Sequence, residues 1–230
     1  MRNTLTRMPN WKRALDIALI ALALPAVLPI WVIVALWVKL SSRGPVLFRQ
    51  ERVGHHGSRF TCFKFRSMRD GADTSVHQNY LAELMHSDCP MTKLDHNGDA
   101  RLIPLGALLR ATGLDELPQL LNVLRGEMSL VGPRPSLPYE YASYRPWQKR
   151  RCEAVPGLTG LWQVSGKNRT TFNEMMQLDI AYVENQSLAL DLRIILQTVP
   201  ALVAQASDVV ASRVVRAAAP ASGSSVPARG

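Results

Sequence analysis

Asp115 and Glu116 stand side by side in the run Leu114-Asp115-Glu116-Leu117-Pro118-Gln119, and adjacent carboxylates can serve as a nucleophile or in acid-base work. Proline is tolerated only within the first turn of a helix, so Pro118 predicts a helix that begins close to Asp115. At such a start the free amides and the helix dipole keep a carboxylate ionised, although plain N-capping by Asp would use the same residues. Gly132-Pro133-Arg134-Pro135 follows, with an arginine between two prolines. A guanidinium on so rigid a turn is suited to a bidentate grip on phosphate. The stretch from Pro156 to Arg169 is punctuated by Gly157, Gly160 and Gly166 and carries Gln163 and Lys167. It reads as a ligand-lining loop or a turn-rich connector, and it lacks the spacing of a Walker loop. His77, His86, Cys89, Asp95, His96 and Asp99 crowd one polar stretch without a recognised zinc spacing, so residues 71–100 read as a helix flanked by loops.

The elements that must position these groups are legible in outline. Residues 45–53 and 59–66 are β-prone runs separated by Gly54-His55-His56-Gly57, which predicts a hairpin. Alternation along the second run puts Phe63 and Phe65 on one face and Lys64 and Arg66 together on the other, as a paired cationic feature or a solvated outer face. Leu105, Leu108 and Leu109 form a short helical stripe that ends at Arg110-Ala111-Thr112-Gly113. Leu117, Leu120, Leu121 and Leu124 recur at helical spacing, which predicts a buried helix face. Thr171-Phe172-Asn173-Glu174 is a capping box, and Ser187 can cap a further helix. In that last helix Leu188, Leu192, Ile195, Leu196 and Val199 lie opposite Asp191, Arg193, Gln197 and Thr198, a stripe that fits either the core or a membrane interface.

From Ile17 to Val38 the chain carries no charge and is long enough for a membrane helix. Arg2, Arg7, Lys12 and Arg13 precede this segment while Lys39, Arg43, Arg49 and Arg52 follow it. Basic flanks at both ends conflict with simple crossing, because Lys and Arg stay on the cytoplasmic side. Pro25 and Pro29 offer a bend between them. The two readings are a re-entrant helix that dips into one leaflet and returns, and a proline-kinked spanning helix. The expected organisation is an N-terminal segment with the membrane helix over 1–44, a cytosolic catalytic domain over 45–205, and a disordered tail over 206–230 rich in Ala, Ser, Val, Pro and Gly. The chain has 27 Lys and Arg against 18 Asp and Glu, a net charge of +9, which points to a polyanionic partner: nucleic acid, an anionic membrane surface or a phosphorylated substrate. Its 47% hydrophobic content excludes a disordered chain, and Cys62, Cys89 and Cys152, far apart and odd in number, read as reduced thiols.

In order along the chain, Lys64-Phe65-Arg66-Ser67-Met68, Leu114 to Gln119, Ser129 to Pro135, Pro156 to Gly166 and Tyr182-Val183-Glu184-Asn185 resemble the motif series of the bacterial sugar transferases, the monotopic phosphoglycosyl transferases. The resemblance spans about residues 12–200. It implies an α+β fold, mainly helical with a small β-hairpin, carried by a proline-broken re-entrant helix in the bacterial cytoplasmic membrane, with the catalytic domain on the cytosolic face. It also implies transfer of a sugar 1-phosphate from a UDP-sugar to undecaprenyl phosphate with release of UMP. In that chemistry Asp115 is the nucleophile, forming a phosphosugar-aspartyl intermediate, and Glu116 orients the dyad or accepts a proton. A Mg²⁺ cofactor would bridge Asp115 and the donor phosphates. Lys64, Arg110 and Arg134 match basic positions assigned to those phosphates, while Arg66 and Gln163 fall in matched motifs near the site. Lys167 stands where the family often has arginine, keeping the charge without the bidentate fork. The alternative is a non-catalytic basic adaptor on membrane lipids, which accounts for the charge and the apolar segment but not for the dyad and the Pro-Arg-Pro turn. Nucleic acid is dropped as a partner, since no recognised motif or single basic stripe accompanies the charge. The motifs specify neither the sugar nor an oligomeric state.

Overall fold

The structure, a computed structural model, describes residues 8–69, 84–85, 89–91, 101–166 and 170–218; the expected helix within 71–100 lies almost wholly outside them. Helix α1 (Asn10–Ser41) contains the whole apolar segment and continues through Pro25 and Pro29, where the sequence predicted a break. Among the described residues it is the one helix long and apolar enough to cross a membrane. Its two ends are buried and its middle is not. Lys12, Asp16 and Ile20 are buried near the start, Val34 and Val38 near the end. Between them Leu22, Leu24, Leu28, Ile30, Val32 and Ile33 are exposed.

Strands β1 (Leu47–Val53) and β2 (Arg59–Phe65) form the expected antiparallel hairpin, with Leu47 opposite Phe65 and Val53 opposite Arg59. Helix α2 (Gly106–Thr112) ends at Gly113, whose φ of +73° is the left-handed conformation that glycine adopts without a Cβ penalty. A 3-10 turn, Leu114–Gln119, follows at once and passes into α3 (Leu120–Arg125). Strand β3 (Ser129–Val131) pairs in parallel with β4 (Gly157–Thr159). The connection holds α4 (Pro138–Ser143), α5 (Pro146–Lys149) and a 3-10 turn, Arg150–Glu153. Short α6 (Leu161–Val164) leads to α7 (Phe172–Glu184) and α8 (Leu188–Ala218). The capping box at α7 is formed as read: Glu174 N–H donates to Thr171 Oγ1 at 3.2 Å, and Thr171 N–H to Glu174 Oε2 at 2.7 Å.

The core is divided among the ends of α1 and the hairpin. Val34 and Val38 pack with Phe65, Ile103 and Leu109, and Ile20 packs with Cys62, Val123 and Met128. Residues Cys62 and Phe65 of one short strand thus meet both ends of α1. A second body of core joins Val131, Ala154, Tyr182 and Ile194, and Met175 and Met176 pack with Tyr144, Trp162 and Phe172.

Three sequence readings are refined. The leucine stripe after the dyad is split: Leu117 and Leu120 pack against the core, while Leu121 and Leu124 are exposed and Gln119, Asn122 and Val123 are buried. In α8, whose stripe fitted either the core or an interface, Asp191 and Ile194 are buried and Ile195 packs on the core, while Leu188, Leu192, Leu196 and Val199 point outward. That helix also runs on to Ala218, past the boundary at 206 where a tail was expected, and residues 219–230 lie outside the described part.

Candidate active site

The carboxylate pair occupies the first turn of the 3-10 segment, immediately after Gly113. The left-handed glycine lets the chain reverse out of α2 tightly, and Glu116 N–H closes the new turn on Gly113 O at 2.9 Å. Asp115 is buried and Glu116 half-buried. Lys64 on β2 reaches across to Glu116, Nζ to Oε1 at 2.7 Å, in a pair whose side chains are 22% and 34% exposed. Such partial exposure keeps the pair accessible to a substrate while leaving its Coulomb attraction modest. The strand and the dyad segment are fixed to each other by Asn122. Its Oδ1 accepts from Phe63 N–H at 3.2 Å and its Nδ2 donates to Thr61 O at 2.7 Å, so a fully buried amide is matched to the free edge of β2.

Arg134 stands on the Pro133–Pro135 turn that follows β3, with Nη1 3.5 Å from Glu140 Oε1. Burial works against its charge, but Glu140 and neighbouring groups, Glu116 among them, hold the guanidinium above its ordinary value. Burial likewise disfavours the Glu140 carboxylate, and Arg134, Arg52 and the Leu137 N–H reverse this to keep it below the usual range. Burial, and then the like charge of Arg134, lower Arg52. The charge of Glu116 is felt at both Arg134 and Arg52, which places these cations within electrostatic reach of the dyad. The glycine-punctuated loop has a different use from the one its composition implied. Gly132 N–H donates to Thr159 O at 2.8 Å and Gly157 N–H to Pro133 O at 2.9 Å, so the two loops cross backbone to backbone. A Cβ on Gly157 would stand 2.0 Å from Gly132 N, and one on Gly160 would stand 2.3 Å from Gly132 O. The glycines are there to let the chains cross, and the crossing fixes the Arg134 turn.

The remaining sequence candidates are placed as follows. Arg110 lies on the last turn of α2, just before Gly113 and the dyad. Arg66 does not project beside Lys64: it is buried and donates to Arg43 O and, at 2.9 Å, to Ser42 O, tying the exit of α1 to the end of β2. Gln163 on α6 donates Nε2 to Leu158 O at 3.3 Å, while its buried Oε1 has no hydrogen-bond partner. Lys167 lies outside the described residues. The sequence reading missed Arg52 as a site residue, taking it for a membrane flank, and missed Glu140, Arg151 and Asp179. Among the described residues no group of three or more His, Cys, Asp or Glu side chains forms a metal cage. A Mg²⁺ held by one or two carboxylates and completed by substrate phosphates and water needs none, and the dyad's chemistry fits that mode of binding.

A paired carboxylate on a tight turn, with Lys64 bonded to Glu116 and the charge of Glu116 felt at Arg134 and Arg52, is an arrangement suited to an anionic substrate. The chain matches the model of the bacterial sugar transferase family over residues 7–205 and belongs to that family. Its relatives include the exopolysaccharide production protein ExoY of Sinorhizobium fredii, 39% identical over 191 residues, which cover 83% of this chain and 84% of that protein. The UDP-glucose:undecaprenyl-phosphate glucose-1-phosphate transferase of Caulobacter vibrioides is 42% identical over 202 residues, covering 83% of this chain and 69% of the relative. The undecaprenyl-phosphate galactose phosphotransferase of Salmonella typhimurium is 39% identical over 194 residues, covering 81% of this chain and 39% of the relative. Membership in a family of transferases sets the non-catalytic adaptor reading aside.

Proposed function

We propose that the protein transfers a sugar 1-phosphate from a UDP-sugar to undecaprenyl phosphate at the cytosolic face of the bacterial inner membrane, initiating exopolysaccharide, capsule, O-antigen or other glycoconjugate synthesis. The observation that carries this reading is the buried Asp115 beside Glu116, which is paired with Lys64 and whose charge is felt at Arg134 and Arg52. An Asp115 carboxylate oxygen attacks the β-phosphorus of the donor, and the bond from that phosphorus to the bridging oxygen breaks to release UMP. The sugar phosphate is left on Asp115 as an acyl phosphate. A phosphate oxygen of the polyprenyl acceptor then attacks the same phosphorus, the bond to Asp115 breaks, and the carboxylate is restored. Arg134 and Lys64 offset the charge that the donor diphosphate brings to an anionic nucleophile. Glu116, held by Lys64, takes any proton the acceptor phosphate carries. A Mg²⁺ on Asp115 and the donor phosphates would supply further charge neutralisation.

The burial of α1 supports a re-entrant arrangement. Its start packs on Val123 and Met128 and its end on Ile103 and Leu109, all of the same body. A spanning helix would carry one end to the far side of the bilayer, whereas a helix with both ends on one domain supports a dip of residues 21–33 into one leaflet. The outward rows Leu121 and Leu124 on α3, and Leu192, Leu196 and Val199 on α8, fit an interfacial seat for the domain.

The test is UMP release from a panel of UDP-sugars by the purified protein in lipid nanodiscs with Mg²⁺ and undecaprenyl phosphate. Wild type should release UMP with at least one sugar and, without acceptor, should gain the mass of a sugar phosphate. Asp115→Asn should do neither. Full activity in Asp115→Asn, or no UMP with any sugar, overturns the reading.

A further inference from the structure

Proline at both 133 and 135 fixes the backbone around Arg134, yet it also removes two amide donors, so the carbonyls of this turn must find partners elsewhere. Two buried guanidiniums provide them. Arg151 Nη2 donates to Arg134 O at 2.9 Å, and Arg52 Nη1 donates to Pro135 O at 3.0 Å. Arg151 is 1% exposed and is itself held through both terminal nitrogens: Nη1 donates to Tyr144 Oη at 2.9 Å and Ser136 Oγ at 3.3 Å, and Nη2 also donates to Asp179. Arg52 is anchored through Nη2 to Gln50 Oε1 at 2.6 Å. Ser136, the next residue, bridges to the end of β1, giving its N–H to Val53 O at 3.2 Å and accepting from Val53 N–H at 2.8 Å. The turn is therefore clamped between the hairpin on one side and α7 on the other.

Burying a cation costs several kcal/mol, and a buried ion pair is seldom the most stable filling for its space. Here three guanidiniums, of Arg52, Arg134 and Arg151, meet two buried carboxylates: Glu140 favours the charged form of Arg134 and Asp179 that of Arg151, while burial and the like charge of Arg134 work against Arg52. The surplus positive charge suits a site that receives a polyanion.

We propose that Arg52 and Arg151 are positioning residues of the transfer reaction, holding the carbonyls of Arg134 and Pro135 so that the Arg134 guanidinium meets the donor diphosphate. This rests on the sugar-phosphate transfer proposed above. Neither residue has to touch substrate; each acts through Arg134. Lysine cannot replace either one, because a single ammonium lacks the planar fork that serves a backbone carbonyl and a side-chain partner together.

A double-mutant cycle tests this on the full chain in nanodiscs, with kcat and KM measured for the UDP-sugar and for undecaprenyl phosphate, and unfolding temperature recorded for each variant. Arg52→Lys and Arg134→Lys are made singly and together. Arg52→Lys should lower kcat/KM for the donor by roughly 10- to 100-fold, the scale of a misplaced charged contact, with the KM for the acceptor unchanged. The double variant should be no worse than Arg134→Lys alone, since Arg52 has nothing to position once the fork of Arg134 is gone. Tyr144→Phe, which removes one partner of Arg151 at almost constant volume, should reproduce the donor-selective loss in milder form and serves if Arg52→Lys does not fold. Additive losses, an equal effect on donor and acceptor, or a loss accounted for by unfolded protein overturns the positioning role. A wild type that releases no UMP instead overturns the function beneath it, so the two failures are distinct.

Discussion

Replacing Asn122 with alanine should loosen the site without touching any residue proposed to meet substrate. The side chain makes three hydrogen bonds: from Phe63 N–H at 3.2 Å, to Thr61 O at 2.7 Å and to Glu127 Oε2 at 2.7 Å. At a net value near 1 kcal/mol each the loss is about 3 kcal/mol. In a protein of this size that lowers the unfolding temperature by roughly 6–12 °C. Because Lys64 follows Phe63 on β2 and Glu116 precedes α3, losing this joint should also relax the Lys64–Glu116 contact and reduce UMP release below the unfolding transition. Asn122→Asp sharpens the test. It keeps the acceptor for Phe63 N–H, loses both donated bonds and sets a second carboxylate against Glu127, so it should be less stable than Asn122→Ala at neutral pH. It should recover part of that loss as pH falls toward about 5, where a proton shared by the two carboxyls restores a hydrogen bond. Circular dichroism melts in nanodiscs at two pH values decide the matter. An alanine variant within about 2 °C of wild type, or an aspartate variant as stable as wild type at neutral pH, would refute the claim that Asn122 joins the dyad segment to β2.

Gly157→Ala should yield no folded protein, because its Cβ would sit 2.0 Å from Gly132 N and neither backbone can retreat; a soluble variant with wild-type circular dichroism would show the crossing to be adaptable, against an expected loss of about 4 kcal/mol or more. Burial, reinforced by His56, holds His55 below its ordinary value, so the unfolded chain binds the extra proton first. Stability should therefore rise with pH through the window that ends near the unfolded value of about 6.5, and His55→Gln should flatten that slope in melts run from pH 5 to 7.5 (about one unit either side). Leu196→Glu combined with Val199→Glu should weaken binding to anionic vesicles by tenfold or more, at roughly 1.5 kcal/mol for each side chain withdrawn from lipid. Their outward position means that the unfolding temperature should hold; unchanged flotation would remove α8 from the membrane face.

Local signals carried much of the site. Pro118 and Gly113 announced where the dyad segment begins, and the structure starts its turn there, as 3-10 rather than α. Alternation announced the hairpin, and Thr171 with Glu174 announced the start of α7. What stayed hidden were pairings between distant residues: Arg52 with Pro135, Arg151 with Asp179 and Lys12 with Asp191. Composition near each of these arginines and lysines gives only a charge, and a charge beside an apolar run reads as a membrane flank. Lys12 lies instead wholly buried, 2.9 Å from Tyr182 Oη and 2.5 Å from Asp191 Oδ2.

The outward leucines and valine of α3 and α8 share one physical reading. Periodicity identifies the apolar side of a helix, and the inference that this side is buried assumes that water is the solvent for everything else. Along α3 and α8 the side turned to the protein carries Val123 and Ile194 together with Asn122, Asp191 and Thr198, each of these three with hydrogen-bond partners. The side turned away carries leucine and valine. In water this arrangement would expose apolar surface that the polar face could have spared. Against lipid it removes that surface from water while the interior keeps the polar joints that set geometry. The same reasoning applies to α1, whose exposed apolar middle lies between two ends packed on one domain. Three helices thus present apolar residues that the protein interior leaves uncovered, and the proposed dip of α1, with α3 and α8 seated at the interface, would give all three the same solvent. A membrane-free environment should therefore cost this protein solubility before it costs the fold around Asp115.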